Sequence, residues 1–467
     1  MPRNVLLLQG PLGPFFKKFA QQLESSGHNV LKINLNGGDL FYFRSGKYLN
    51  FTSTSAVWPA WIENVMVGRK IDSLYLFGDC RRYHRQAIDI ARRVGVKVYV
   101  FEEGYVRPNY VTLEQGGVNG YSSACKKPEI LTHLKNFKAE SEDLPSEPVS
   151  NVFWNAALHV FGYYSAALVL RGLFKHYDHH RSLNVVTETL LAFKSAIRKI
   201  AYRVTERKVS RRLLAGEEKY FLLPLQVHFD MQVKQHSKYP SIELFIEQMI
   251  SSFSQSGRED CSLVFKHHPY DRGYKNYSAL IEKMALVYGL EGRLYYVHDT
   301  DLPALLQNAE GSVLINSTVG ISSMYHGTPV KALGDAIYDI EGLTHQGTLD
   351  SFWHNPDPVN RELFSRFRQY LINKTQVNGS LYTSVANADS SGLLWPQALA
   401  EIHFNDEVER VSQDLTEGDA ATQAANMAAS TAANTANIID LENHKSSNDG
   451  DYDQSGFDTG AEDKIAI

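Results

Sequence analysis

The stretch V-Y-V-F-E-E-G-Y-V-R-P, residues 98–108, contains a short apolar run that changes abruptly to charged residues. Residues 98–101 combine β-branched and aromatic side chains, which predicts a buried strand. Glu102 and Glu103 follow directly. Ligands of parallel α/β sheets bind at the carboxyl ends of the strands. The stretch therefore predicts a strand with two carboxylates at the ligand-binding edge; a solvated acidic turn paired with Arg107 is the alternative.

The chain before this stretch shows the same alternation of apolar runs and helical patterns. Strands separated by helices of this length predict a parallel sheet with helices on its faces. Asp79 follows the preceding strand and would share a sheet edge with Glu103, although an aspartate there could equally cap the next helix. The predicted strands are residues 4–8, 30–35, 71–77 and 96–101, and the predicted helices are residues 15–26 and 84–94.

A second series of alternating elements begins near Lys219. It repeats the architecture of the first series without repeating its sequence. The fold class is therefore α/β, with two Rossmann-like domains that we expect to face a cleft. The strands of the second series are predicted at residues 220–225, 262–266, 294–297 and 312–315, and its helices at residues 241–253, 277–288 and 302–308.

Composition divides the chain into five segments. From Asp406 onward there are 14 acidic and 3 basic residues, a net charge of -11, so the rest of a chain whose net charge is -5 carries +6. A tail of this composition buries too little apolar area to offset chain entropy and is predicted to be disordered. The predicted segments are 1–150, the first Rossmann-like domain; 151–215, a helical, basic linker; 216–345, the second Rossmann-like domain; 346–405, helices that pack back on the domains; and 406–467, the acidic tail.

The strand ends of the second series offer groups suited to a phosphate. His268 follows a strand and precedes a proline, so the imidazole is held at the edge of the sheet. Small hydroxyl and amide side chains stand where a helix begins, and helix N-termini attract anions. A buried structural histidine and ordinary helix caps are the alternatives. The candidate phosphate-binding residues are Lys266, His268, Pro269, Asn316, Ser317, Thr318 and Gly320.

The first turn of the chain, Q-G-P-L-G-P-F-F at residues 9–16, contains glycines but departs from the G-x-G-x-x-G fingerprint. It is therefore a weak sign of dinucleotide binding. Such a turn can bring backbone N–H groups close to an anion or a sugar. We predict a ligand contact at Gly10, Pro11 and Gly13, with Arg107 at the same site.

Two features of the linker bear on membranes. Residues 152–170 contain no Asp, Glu, Lys or Arg, which suits a membrane span, an interfacial helix or a helix buried between the domains. The next helix carries a basic stripe that suits an anionic membrane surface, although a solvated helix would look the same. No recognised nucleic-acid module accompanies the stripe, so we expect no nucleic-acid partner. The basic residues are Lys194, Arg198, Lys199, Arg203, Arg207, Lys208, Arg211 and Arg212.

Signals for cofactors are few. D-T-D at residues 299–301 has the D-x-D spacing that some sugar-nucleotide enzymes use for a divalent cation, but an aspartate before a helical run is also a favoured cap. The sequence has no Walker, H-E-x-x-H or G-x-S-x-G motif, so we expect neither a metal nor a cofactor. Three widely spaced cysteines and an N-terminus without a secretion signal favour the cytoplasm.

Eight motifs between residues 4 and 353 resemble the KpsS/LipB capsule polysaccharide family. They are L-L-L-Q-G-P-L-G-P-F-F, N-G-G-D-L, F-G-D-C-R-x-Y-H, F-E-E-G-Y-V-R-P, T-L-E-Q-G-G-V-N-G-Y-S, K-H-H-P-x-D-R-G, I-N-S-T-V-G and G-L-T-H-Q-G-x-L-D-x-F-W. The resemblance implies a GT-B-like fold and a retaining β-Kdo transferase that uses CMP-Kdo. Such an enzyme starts the Kdo linker of a capsule chain on a phosphatidylglycerol-type lipid, which implies peripheral association with the inner membrane.

The same resemblance implies roles for individual residues. Glu102 and Glu103 would be catalytic, and His268 would hold the CMP phosphate with help from Lys266. Related retaining Kdo transferases carry aspartate at the position of Glu103. The donor would bind the second domain, where Asn316, Ser317 and Thr318 line the nucleotide pocket, and the acceptor would bind the first.

Retention of anomeric configuration suggests two displacements through a carboxylate nucleophile. Glu103 is the first choice for that nucleophile and Asp79 the second. Two other functions stay open. A non-catalytic capsule export or assembly partner would need neither Glu103 nor His268, and another nucleotide-sugar enzyme of the same build, such as an epimerase, would need no lipid acceptor.

Overall fold

A computed structural model of the chain describes residues 2–126, 129–137, 147–150, 152–178 and 185–404. The acidic tail predicted to be disordered lies outside the described residues. The strands are β1 (Asn4–Leu7), β2 (Asn29–Asn34), β3 (Tyr48–Asn50), β4 (Ser73–Phe77), β5 (Lys97–Glu103), β6 (Tyr110–Gln115), β7 (Lys219–Pro224), β8 (Cys261–Lys266), β9 (Leu294–Val297), β10 (Gly311–Leu314), β11 (Val330–Ala332) and β12 (Gln376–Asn378).

The helices alternate with these strands along the chain. They are α1 (Phe15–Ser25), α2 (Gly37–Tyr42), α3 (Trp58–Gly68), α4 (Arg82–Arg93), α5 (Glu129–Asn136), α6 (Val152–Val169), α7 (Val185–Thr205), α8 (Arg207–Leu214), α9 (Met231–Gln235), α10 (Ile242–Ser256), α11 (Ser278–Tyr288), α12 (Leu302–Asn308), α13 (Val319–His326), α14 (Leu349–His354), α15 (Arg361–Thr375) and α16 (Gln397–Phe404).

The strands of the described residues form two sheets. The first has the order β12-β6-β5-β4-β1-β2-β3, and the second has the order β11-β10-β7-β8-β9. Strands β1 to β5 are parallel, and so are all the strands of the second sheet. Buried apolar side chains cover both sheets. The predicted α/β fold with two Rossmann-like domains and a cleft between them is confirmed.

The prediction omitted the edge strands β3 and β11, and it was incomplete at the edge of the first sheet formed by β6 and β12. Strand β6 pairs antiparallel with β5, so that Thr112 lies opposite Glu102 and Val111 lies opposite Glu103. Strand β5 therefore continues through both glutamates, instead of ending before them, because β6 supplies backbone partners there. Strand β12, which comes from the far C-terminal part of the chain, then pairs antiparallel with β6.

Helix α6 packs against α2 of the first domain. The two α2 glycines make this close approach possible: a Cβ on Gly37 would lie 2.6 Å from the backbone oxygen of Ala166, and a Cβ on Gly38 would lie 2.6 Å from the ring of Tyr163. Nowhere in the described part of the chain is a helix long and apolar enough to cross a membrane. Helix α6 instead buries Tyr163 and Tyr164 against the domain.

We expect Gly38→Ala to lower the free energy of unfolding by roughly 1–3 kcal/mol, because the added methyl group must displace the buried Tyr163 ring. Gly68→Ala is the matched control, since a Cβ at this helical position meets no atom within 4 Å. That substitution should be neutral or stabilising. Chemical denaturation of both variants checks the prediction, and equal stabilities would contradict it.

Candidate functional site

A cavity of about 600 Å³ lies between the carboxyl-terminal edges of the two sheets. Most of the predicted site residues line it, and they come from both domains. From the first domain these are Glu102, Glu103 and Arg107, and from the second Lys266, His268, Pro269, Asn316, Ser317 and Thr318. The predicted edges of the two sheets therefore meet at one site.

Five predicted residues do not line this cavity. Asp79 is buried, and its carboxylate accepts a hydrogen bond of 2.9 Å from the Val118 backbone N–H. It does not cap α4, whose N-cap residue is Arg81. Gly320 lies against the ring of Tyr338. In the first turn, the predicted residues Gly10, Pro11 and Gly13 do not line the cavity, whereas their neighbours Gln9 and Leu12 do.

The two adjacent glutamates occupy different environments. Burial raises the pKa of Glu102 to about 7, and the nearby charges of Glu103 and Asp79 add to this rise. Burial also raises the pKa of Glu103, but the Arg107 guanidinium and a hydrogen bond from the Tyr382 hydroxyl oppose that rise. A cation and a hydrogen-bond donor both favour the carboxylate form. Glu103 is therefore the better supported of the two as an anion, and Glu102 is suited to exchange a proton near neutral pH.

His268 is fixed in a single hydrogen-bonding state by its own loop. Its Nδ1 accepts a hydrogen bond of 3.1 Å from the Tyr270 backbone N–H, so the proton of the neutral ring is on Nε2. Burial, with the charges of Arg107 and Lys266, lowers the pKa of His268 to about 4. The imidazole is thus neutral at pH 7 and presents an Nε2–H donor.

Lys266 is the last residue of β8 and is buried beside His268. Its ammonium group donates a hydrogen bond to the His298 carbonyl. Burial lowers the pKa of Lys266 to about 8, although the charge of Asp299 opposes this. A lysine with this pKa is still mostly protonated at neutral pH, so it supplies a positive charge at the cavity wall.

The polar residues before α13 have local partners. The side chain of Asn316 donates to the Gln232 carbonyl at 3.0 Å and accepts from Gln226 at 3.0 Å. The Ser317 carbonyl accepts from the Tyr338 hydroxyl at 2.6 Å. Asn316 therefore orders the loop, which places the backbone N–H groups at the start of α13 at the cavity.

The sequence analysis missed several cavity residues. Arg81 donates to the side-chain oxygen of Gln9 at 2.9 Å, and the Gln9 amide donates to the Tyr163 hydroxyl at 3.0 Å. Tyr382 reaches the cavity from the C-terminal segment. Arg81 stands in the F-G-D-C-R-x-Y-H motif and could have been selected there. Tyr163 and Tyr382 could not have been selected from the sequence. Their position at the cavity depends on how α6 and the C-terminal segment pack against the first domain, and no local pattern indicates that packing.

The D-x-D stretch has local contacts in the protein. Asp301 caps α12 by accepting a hydrogen bond of 2.9 Å from the Ala304 N–H. Asp299 pairs with Arg203 at 2.9 Å and with Arg272 at 2.8 Å. Within the part of the chain that the structure describes, no group of three or more His, Cys, Asp or Glu side chains could hold a metal ion.

The sequence matches a family model described as "Capsule polysaccharide biosynthesis protein" over residues 72–382. The chain is 40% identical over 384 residues to the capsule polysaccharide export protein KpsS of Escherichia coli, covering 81% of this chain and 97% of that protein. It is 37% identical over 388 residues to the capsule polysaccharide modification protein LipB of Neisseria meningitidis serogroup A, covering 82% and 92%.

Solved structures match more distantly. The structure described as "KpsC, beta Kdo 2,7 transferase" of Thermosulfurimonas dismutans is 16% identical, with a TM-score of 0.39, and the match covers 78% of this chain and 93% of that chain. The family model and the two relatives agree with the resemblance stated above. The chain belongs to the capsule polysaccharide biosynthesis protein family.

Proposed function

We propose that this chain is a retaining β-Kdo transferase that moves Kdo from CMP-Kdo to a phosphatidylglycerol or lysophosphatidylglycerol acceptor at the inner face of the inner membrane. One observation carries the proposal. Glu103 and Glu102 of the first domain line the same cavity as His268 and Lys266 of the second. A carboxylate nucleophile and ligands for a departing phosphate are the groups that a metal-free retaining transfer requires.

In the first step the Glu103 carboxylate attacks the anomeric carbon of Kdo. The bond between that carbon and the phosphate oxygen breaks, and its electron pair leaves with CMP. The Nε2–H of His268 and the ammonium of Lys266 stabilise the charge that develops on the phosphate. Arg107, which lies close enough to influence the pKa of both Glu103 and His268, stabilises the charged groups on both sides of the reaction.

In the second step an acceptor hydroxyl attacks the same carbon. The ester bond to Glu103 breaks, which restores the carboxylate and gives net retention. Glu102 takes the proton of the hydroxyl, because a carboxylate whose pKa is near 7 can both accept and release a proton at neutral pH.

We expect the turnover number to rise with pH through an apparent pKa near 7. Burial raises the pKa of Glu102 to about 7, so below that pH the group is protonated and cannot act as a base, and the rate should fall about tenfold per pH unit. Glu102→Gln should lower the rate roughly a hundredfold and remove the rising limb. Rate profiles between pH 5 and 9 check this, and a Gln variant that kept the limb would contradict it.

Incubation of the purified chain with CMP-Kdo and lysophosphatidylglycerol, followed by mass spectrometry of the lipid, tests the proposal. Transfer of Kdo supports it. Turnover of the donor without transfer would favour another nucleotide-sugar enzyme. If neither occurs, a non-catalytic partner in capsule export or assembly becomes the better description.

A further inference from the structure

Helix α7 exposes a continuous apolar stripe to solvent. The side chains of Leu190, Phe193, Ile197, Ile200 and Val204 are 65%, 70%, 57%, 69% and 73% exposed. They recur at alternating intervals of three and four residues, which places them on one face of the helix. A helix of a globular protein normally turns such a face toward a core. Here the apolar face points outward.

Helix α6 extends this surface toward the candidate active site. Leu158, Phe161 and Val169 on α6 are 68%, 66% and 80% exposed. The opposite face of α6 buries Tyr163 and Tyr164, which line the cavity. Helices α6 and α7 are in contact with each other. The exposed face of α6 is therefore separated from the cavity by the thickness of one helix, and exposed apolar surface on two touching helices marks an interaction site.

The charges beside the stripe identify the partner. Between residues 185 and 208, basic side chains outnumber the acidic ones, Glu188 and Glu206. Glu206 bonds to the His298 N–H at 2.8 Å and is turned toward the second domain. Lys194 and Lys199 on α7 and Lys208 at the start of α8 are exposed. Flanks of this sign complement an anionic surface.

In the structure, some residues of the predicted basic stripe are not available to contact a membrane, because they bind the second domain. Arg203 pairs with Asp299 at 2.9 Å, and Arg198 donates to the Arg272 carbonyl at 2.7 Å. These two members of the predicted basic stripe bind the second domain. The interaction surface is therefore the apolar face of α7 together with the exposed lysines, and Arg198 and Arg203 hold the helix against the second domain.

A second copy of the chain is the competing occupant, because intervals of three and four residues also suit a coiled-coil seam. Two copies paired through this face would bring basic flanks together, and like charges across such a seam are unfavourable. An anionic bilayer satisfies both the apolar stripe and the lysines: the stripe lies at the acyl boundary and the lysines lie among the headgroups.

We infer that α7 and the exposed face of α6 form a membrane-docking surface that lies in the interface of an anionic bilayer. The inference rests on the proposed function in one respect: the role of the docking surface is to hold the cavity beside a lipid acceptor whose acyl chains stay in the bilayer. An interfacial helix of this kind enters the bilayer only to the depth of the headgroup and acyl boundary.

Vesicle flotation with the full-length chain tests the inference. The probe is a phosphatidylglycerol–phosphatidylethanolamine vesicle, with a phosphatidylcholine vesicle for comparison. We expect Ile197→Asp/Ile200→Asp to lower the partition constant for the anionic vesicle about a hundredfold, because two aliphatic side chains lose their apolar environment and two negative charges are added. Leu286→Asp/Val287→Asp is the matched control, since these α11 side chains are also exposed, at 69% and 64%, and it should bind as the unaltered chain does.

Two outcomes would overturn the inference. One is equal vesicle binding by the Ile197→Asp/Ile200→Asp variant and the unaltered chain. The other is light scattering that shows this variant converting a dimer to a monomer while vesicle binding is unchanged, which would assign the stripe to a second copy. An assay of Kdo transfer to a short-chain, water-soluble lysophosphatidylglycerol separates the membrane-docking proposal from the enzymatic one. The Ile197→Asp/Ile200→Asp variant should retain this transfer. If the unaltered chain binds vesicles but transfers no Kdo, the enzymatic function alone is refuted.

Discussion

Glu103→Gln should lower the rate of Kdo transfer by roughly a thousandfold or more, the scale of losing the nucleophile of a covalent mechanism. The amide keeps the shape of the side chain and can still accept a hydrogen bond from Tyr382. It removes the negative charge that Arg107 and the Tyr382 hydroxyl favour. An amide oxygen is too weak a nucleophile to displace CMP, so the first step should stop while donor binding persists.

Transfer is measured by mass spectrometry of the lipid, and affinity for the nucleotide part of the donor is measured by calorimetric titration with CMP. Glu362→Gln is a suitable control, because Glu362 pairs with Arg366 on the exposed surface of α15. Asp79→Asn tests the second choice of nucleophile. A near-normal rate for Glu103→Gln, together with an inactive Asp79→Asn variant, would move the nucleophile to Asp79, although that carboxylate is held by the Val118 N–H outside the cavity.

The sequence predicted the parallel strands that are local apolar runs next to a helix, but it did not predict β3 and β11, the three-residue parallel strands at the edges of the two sheets. Strand β9, predicted at residues 294–297, has those bounds in the structure. Strands β6 and β12 were missed for a physical reason. A three-residue strand such as β12 is stabilised by its pairing with β6 and not by its own sequence, and such pairing between distant segments leaves no local pattern.

The same division between local and distant information applies to the site. Residues at strand ends, such as Glu103 and His268, could be located because a strand followed by polar residues is a local signal. The difference between the two glutamates could not be predicted. It depends on Tyr382, nearly three hundred residues away in the sequence, and on the depth to which the finished fold buries each carboxyl group.

Replacing His268 with alanine should weaken the affinity for CMP about tenfold to a hundredfold and lower the rate of transfer by roughly two to three powers of ten. One hydrogen bond to a charged phosphate contributes about 1.5–3 kcal/mol, and a preorganised donor contributes more in the transition state than in the bound ground state. Because Nδ1 of His268 accepts from the Tyr270 N–H, Nε2–H is the donor that is lost.

This geometry makes glutamine the informative substitution. The amide nitrogen of glutamine reaches about as far along the side chain as Nε2 of histidine, so His268→Gln should recover part of the affinity and part of the rate. His354→Ala, at an exposed position outside the cavity, should leave both unchanged. Because the pKa of His268 is lowered to about 4, the defect of the alanine variant should be the same at pH 6 and pH 8. A defect that disappeared above pH 6.5 would show that the imidazole acts as a cation, and unaltered CMP affinity in His268→Ala would remove its contact with the phosphate altogether.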